Sequence, residues 1–221
     1  MAAIVFDIET LALPVESFDE VQLEYLLKFA KDDKERAEEI QKFSLYPLTS
    51  KIITIGMMNP ESGAGKVFFD APREQSFTSE DGKLQYVAGD EQDILTNFWE
   101  TLQKYSTIVT FNGRTFDCPF IMIRSMMHGV KAGRNLIPYR YSSKEHFDIL
   151  DQLTFYGASR KFNLDFYTKA FGIKSPKAEG ITGLDLGRLQ AEGKYRQIAE
   201  YCAGDIRATS ELYIKVRDYF V

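Results

Sequence analysis

Acidic side chains at three separated points of the chain have the types and spacing to hold a hard cation. The run Phe6-Asp7-Ile8-Glu9-Thr10 closes the first apolar segment. Side chains alternate along a strand, so Asp7 and Glu9 project to one face and Ile8 to the other. Paired carboxylates at a strand end repel each other unless a cation sits between them, although Asp-x-Glu is also a common strand end running into solvent. In Thr110-Phe-Asn-Gly-Arg-Thr-Phe-Asp117 an apolar strand ends, Asn-Gly turns the chain, and an acid opens a helix. Alone, Asp117 reads at least as well as a capping or first-turn acid favoured by the helix dipole. In Tyr201-Cys202-Ala203-Gly204-Asp205, Tyr201 and Asp205 share a helix face one turn apart. Ile198, Cys202, Ile206 and Leu212 press that helix onto a core, where an unpaired charged acid is costly and a Lys, an Arg or a metal would relieve it.

Each signal has a plain structural explanation, but the combination is more specific. A strand end, a strand-to-helix junction and a late helix converge at one edge of such a sheet. Four carboxylates gathered there, Asp7, Glu9, Asp117 and Asp205, point to a Mg²⁺-like ion, which prefers carboxylate and water oxygens.

The elements that must position these groups follow from periodicity. Residues 2–9 form a buried strand ending in acids, 19–43 a charged helical stretch, and 51–58 a second strand. Segment 63–88 reads as antiparallel edge strands among Gly, Asp and Glu turns. Residues 91–105 make an amphipathic helix, 107–111 a strand, 117–129 a helix and 146–150 a strand. Helices are expected at 163–171, 184–192 and 195–219, with a Gly-containing loop at 172–183 whose Lys174 and Lys177 could approach phosphates or simply be solvated. Antiparallel strands followed by strand-helix alternation imply an α/β fold, a mixed sheet covered by helices. A single domain over 1–221, with a helical insertion at about 15–50, accounts for the whole pattern.

Composition narrows the setting. The chain is 44% hydrophobic and 27% charged, ordinary for a globular protein large enough to bury a core. A net charge of -5 and a pI near 5.2 argue against a broad cationic surface for duplex DNA, though not against a site where cations neutralise one phosphate. Cys118 and Cys202 offer neither metal-ligand spacing nor a disulfide framework, which points to a cytoplasmic setting. The first residues read as no signal peptide, and no apolar run approaches the roughly 20 residues that span a bilayer.

The three motifs, Phe6-Asp7-Ile8-Glu9-Thr10, Asn112-x3-Phe116-Asp117 and Tyr201-x3-Asp205, resemble in order those of the DEDD superfamily of 3′-5′ exonucleases. Tyr201, with Glu200 where the other branch would carry a His, is similar to the tyrosine branch. Phe111-Asn-Gly-Arg-Thr-Phe-Asp and His146-Phe-Asp-Ile-Leu-Asp resemble the stand-alone group related to the exonuclease domain of family-B DNA polymerases. The resemblance implies a ribonuclease H-like fold with a mixed, mostly five-stranded sheet. It also implies two divalent ions, Mg²⁺ or Mn²⁺: Asp7 would bridge both, Glu9 and Asp205 would complete the first, and Asp117 would hold the second largely through water. Tyr201 would orient the attacking water.

The implied partner is single-stranded nucleic acid, DNA in preference to RNA, cut from the 3′ end to nucleoside 5′-monophosphates. The alternatives are an RNA 3′-end trimmer of the same mechanism and a non-catalytic nucleic-acid-binding module. Thr10, Leu11, Asn112 and Phe116 are the candidate substrate contacts, each with a packing or turn role as its rival. Asp148 and Asp151 are expected to make structural hydrogen bonds, and His128 and His146 to serve packing or surface roles. Oligomeric state is left open.

Overall fold

The first strand, β1 (Ala3–Ala12), is a two-sided ribbon. Ile4, Phe6 and Ile8 enter one apolar layer and Val5 the other, so Asp7 and Glu9 fall on the face of Val5. It is joined by β2 (Ser50–Met58), β3 (Gly65–Asp70), β4 (Phe77–Thr78), β5 (Leu84–Gly89), β6 (Thr107–Thr110) and β7 (His146–Asp148). Among the described residues these make a seven-stranded mixed sheet of order β4-β5-β3-β2-β1-β6-β7. The pairs β1–β2, β2–β3 and β4–β5 are antiparallel, whereas β3–β5, β1–β6 and β6–β7 are parallel. This computed structural model describes residues 2–71, 74–175 and 180–220.

The helices are α1 (Glu20–Leu27), α2 (Asp33–Gln41), α3 (Glu91–Leu102), α4 (Asp117–Met127), α5 (Ile149–Leu153), α6 (Leu164–Ala170), α7 (Leu186–Ala191) and α8 (Tyr195–Phe220). Helices cover both faces of the sheet. On one, Ala199, Ala203, Ile206 and Leu212 of α8 pack with Val5, Val67, Phe69 and Val109. On the other, Ile94, Leu95 and Phe98 of α3 and Phe120 and Ile121 of α4 pack with Ile4, Phe6, Ile55 and Phe68. Gly56 lets α8 sit low. A Cβ there would stand 2.9 Å from both Cys202 Sγ and Ile206 Cγ2. Because Gly56 is the register partner of Asp7, this close approach brings α8 down beside that acid.

Several expectations need correction. Five strands understates the sheet, in which β4 has two residues, too few to show a period; the strand expected at 146–150 is present as β7 but ends at Asp148, where α5 begins. The 63–88 segment is not a set of antiparallel edge strands. β3 lies inside the sheet and pairs in parallel with β5, since the short β4 takes the antiparallel place beside β5 at the edge. The charged stretch 19–43 holds two helices rather than one. Asp32 restarts the ladder by accepting from the Glu35 N–H at 2.8 Å, after Ala30 N–H has closed on Leu27 O. β1 continues to Ala12, so Asp7 and Glu9 lie inside the strand. Among the described residues no helix is long and apolar enough to cross a membrane.

Candidate active site

β1 and β6 pair only as far as Val5–Val109. Asp7 and Glu9 therefore stand beyond the carboxyl end of β6, while β2 still holds them from the other side, Asp7 against Gly56 and Glu9 against Thr54. The chain leaving β6 turns back into that opening, and Asp117 Oδ1 accepts a hydrogen bond from the Ile8 N–H at 3.1 Å. A carboxylate thus occupies the place where a longer β6 would have offered a carbonyl. Asn112 makes the turn at φ 64°, a left-handed conformation that Asn tolerates better than most residues. Asp148, at the end of β7, fixes the turn by accepting from the N–H groups of Asn112 and Arg114, each at 3.0 Å. α8 brings Tyr201 and Asp205 from the far side. Asp7, Glu9, Tyr201 and Asp205 line an open cleft of about 240 Å³ with Phe111, Asn163, Leu164 and Asp165.

The electrostatics are one-sided. Burial, then Asp117, Asp205 and Glu9, raise the Asp7 carboxyl well above the usual carboxylate range. Burial, then Asp205 and Asp117, do the same to Glu9. Asp117 is pushed up to about 7, chiefly by burial, with the Ile8 N–H pulling the other way and Asp148 and Asp205 adding to the rise. The acids on β1, α4 and α8 are thus near enough to feel one another. The Tyr201 phenol is also driven up, first by burial and then by Glu9, Asp205 and Asp7, so it stays protonated at neutral pH.

Among the described residues, single ligand atoms of Asp7, Glu9 and Cys202 lie within 4.8 Å of one another. Asp117 and Asp205 fall outside this tightest group and reach it through the field. Cys202 is a packing residue there. Burial keeps its thiol protonated, with Sγ 3.9 Å from the Asp7 carbonyl oxygen, and a neutral thiol is a poor ligand for a hard cation.

The remaining candidates divide. Thr10 spends its hydroxyl on the Ser44 carbonyl at 2.7 Å. Directly after Glu9 the pairing slips from Thr54 to Ile52, and Leu11 then packs with Ile53, Leu186, Leu189 and Ile198. Asn112 is engaged in its turn, accepting from the Thr115 hydroxyl at 2.9 Å. Phe116 packs on Phe120, ring centroids 5.3 Å apart. Asp148 holds backbone N–H groups, and Asp151 pairs with Arg140 at 2.6 Å. His146 is buried between the Thr110 hydroxyl and the Leu136 carbonyl. Lys174 borders a different groove, beside Phe77 and Arg196, and Lys177 lies outside the described residues. Sequence reasoning did not single out Asn163, Leu164 and Asp165 as part of the cleft wall. Asn163, which caps α6 by accepting from the Phe166 N–H at 2.9 Å, is the one signal that marked this turn.

A mixed sheet with helices on both faces and acids beyond the end of a central parallel pair is a ribonuclease H-like architecture. The same fold occurs in the family B DNA polymerase from the hyperthermophilic archaeon Pyrobaculum calidifontis, with a TM-score of 0.63 at 17% identity. The match covers 98% of this chain and 24% of the polymerase, so the protein spans about a quarter of that relative's length. Residues 70–219 match the family described as a predicted 3′-5′ exonuclease related to the exonuclease domain of PolB, and the chain belongs to that family. No curated protein matches it by sequence.

Proposed function

We propose that this protein is a metal-dependent 3′-5′ exonuclease that shortens single-stranded DNA one nucleotide at a time, releasing nucleoside 5′-monophosphates. One observation carries the reading: Asp117 of α4 and Asp205 of α8 raise the pKa of Asp7 and Glu9 on β1, around an open cleft that also presents the half-buried Tyr201 phenol. The donor set fits hard cations, being carboxylate oxygen with a thiol kept neutral. Asp7, Glu9 and Asp205 would hold one Mg²⁺ or Mn²⁺, with Asp7 shared and Asp117 toward a second. Such ions supply charge neutralisation at the scissile phosphodiester and acidify the attacking water.

The protein's own part is positional. Asp117 is kept in place by the Ile8 N–H, and the turn before it by Asp148. Tyr201, too weak an acid to serve as a base at neutral pH, donates a hydrogen bond and orients the water. DNA is favoured by the family's relation to a DNA polymerase's exonuclease domain.

The test uses 5′-labelled single-stranded DNA and RNA oligonucleotides with Mg²⁺, Mn²⁺ or EDTA. A one-nucleotide ladder on DNA, lost with EDTA and in Asp7→Ala, is expected. Internal fragments, or equal cleavage by the variant, would overturn the mechanism, and a ladder on RNA alone would overturn the polymer.

A further inference from the structure

We infer that the turn of helix forming one wall of the cleft also carries a base-stacking platform for the strand upstream of its 3′ end. This rests on the exonuclease reading for its occupant, a single-stranded nucleic acid, and extends it to a second contact surface. Asn163, Leu164 and Asp165 line the carboxylate cleft, and the residues flanking them, Phe162 and Phe166, stack with centroids 4.4 Å apart and an interplanar angle of 13°. Phe166 remains 54% exposed, so much of its ring is open to a further flat partner. The Arg160 guanidinium lies over the Phe162 ring, 5.0 Å from its centroid, and adds a cation to the aromatic surface.

The rings are continuous with the cleft. Phe162 meets Tyr167 at 6.0 Å, and Tyr167 meets Phe111, itself a cleft residue, at 5.9 Å. One exposed ring, Phe166, backed by partly buried ones and with a guanidinium beside them, suits stacked bases and a phosphate backbone, and tolerates any base sequence.

A rival path fits a polyanion less well. The larger groove beyond Tyr201 has the stacked rings of Phe77 and Tyr86, but Glu80, Asp81, Glu200 and Glu211 line it against Lys174, Arg196 and Arg207. More acids than bases there repel a phosphate chain. The platform beside α6 places an exposed ring and Arg160 next to the cleft instead.

Binding of fluorescently labelled oligo(dT), a trinucleotide and a dodecanucleotide, is measured by anisotropy in Ca²⁺ for the wild type, Phe166→Ala and Phe166→Trp. The dodecanucleotide should bind Phe166→Ala about tenfold more weakly, with the trinucleotide unchanged and Phe166→Trp restoring the loss. Equal binding by all three proteins, equal weakening on both lengths, or no wild-type binding to either would overturn the platform. The same proteins are assayed for 3′ shortening in Mg²⁺. If length-dependent binding needs Phe166 and no shortening occurs, the exonuclease reading falls alone. If shortening proceeds while Phe166→Ala binds like the wild type, the platform falls alone.

Discussion

Two groups of buried charge stand on opposite sides of the sheet and are assembled on opposite terms. On the α3–α4 side, Glu91 accepts from Arg124 Nε at 2.7 Å and Nη2 at 2.5 Å, from the Ile52 N–H at 2.8 Å, and meets His128 Nε2 at 2.8 Å. Its two oxygens are met by donors from three directions, and the group is complete within the protein. On the α8 side, the charges that act most strongly on Asp7 and Glu9 are those of other acids, and all of them raise the pKa. The first arrangement locks α3, α4 and β2 together. The second concentrates negative charge at a cleft and calls for cations from solution. Burial alone therefore says little about a charged residue's role, and the sign of its neighbours says much more.

The comparison can be broken by removing one acid from each group. Asp7→Asn should lower Mg²⁺-dependent 3′ shortening by a factor of about 10³ or more while leaving the fold intact, measured as initial rates beside circular dichroism. Glu91→Ala should act in the opposite sense. Stranding the buried Arg124 guanidinium costs on the order of 3–5 kcal/mol, or roughly 10 °C in Tm for a chain of this size, while activity at low temperature persists. If Glu91→Ala lost its activity at full stability, the separation of roles would be wrong.

A smaller effect concerns metal. Millimolar Mg²⁺ or Mn²⁺ should raise the wild-type Tm by a few degrees and leave that of Asp7→Asn unmoved, because an ion that binds only the folded state stabilises by mass action. An equal rise in both proteins, read by scanning calorimetry, would detach the carboxylates from the ion.

Asp117 has a folded pKa near 7, above its ordinary 3.8. Its stabilising contribution is therefore fully present below about pH 3.8 and is lost as pH rises through about 7. In EDTA, Asp117→Asn keeps an acceptor for the Ile8 N–H and removes that titration. Its stability relative to wild type should rise by on the order of 4 kcal/mol between pH 4 and pH 8, followed by urea unfolding. His146 behaves in the reverse manner. Burial, then Arg114, lower its pKa from 6.5 to about 3, so its contribution is present above pH 6.5 and is lost as pH falls toward 3. Both proteins share that histidine, so it leaves their difference untouched.

Much of the fold was legible because local patterns persist in tertiary context. The periodicity of Ile94, Leu95, Phe98 and Leu102 and the apolar run of β2 each specify an element without outside help. The errors fell where an element is too short to show a period, as in β4, or where pairing depends on a distant segment, as in the parallel β3–β5 ladder. The charged stretch 19–43 misled for another reason: helical composition runs through it, and a single capping acid, Asp32, decides where it breaks.

The sequence by itself determined which groups are available. Strand alternation puts Asp7 and Glu9 on one face, helical spacing aligns Tyr201 with Asp205, and Asn-Gly turns the chain ahead of Asp117. These are short-range geometric facts set by covalent structure and by two periods. Only the tertiary structure decided that β6 stops pairing with β1 at Val109, that Asp117 fills the vacated position at Ile8, and that Gly56 lets α8 descend beside Asp7. The reason is physical: pKa shifts, cleft walls and the neighbouring ring stack depend on distances between segments far apart in the chain, and packing sets those distances.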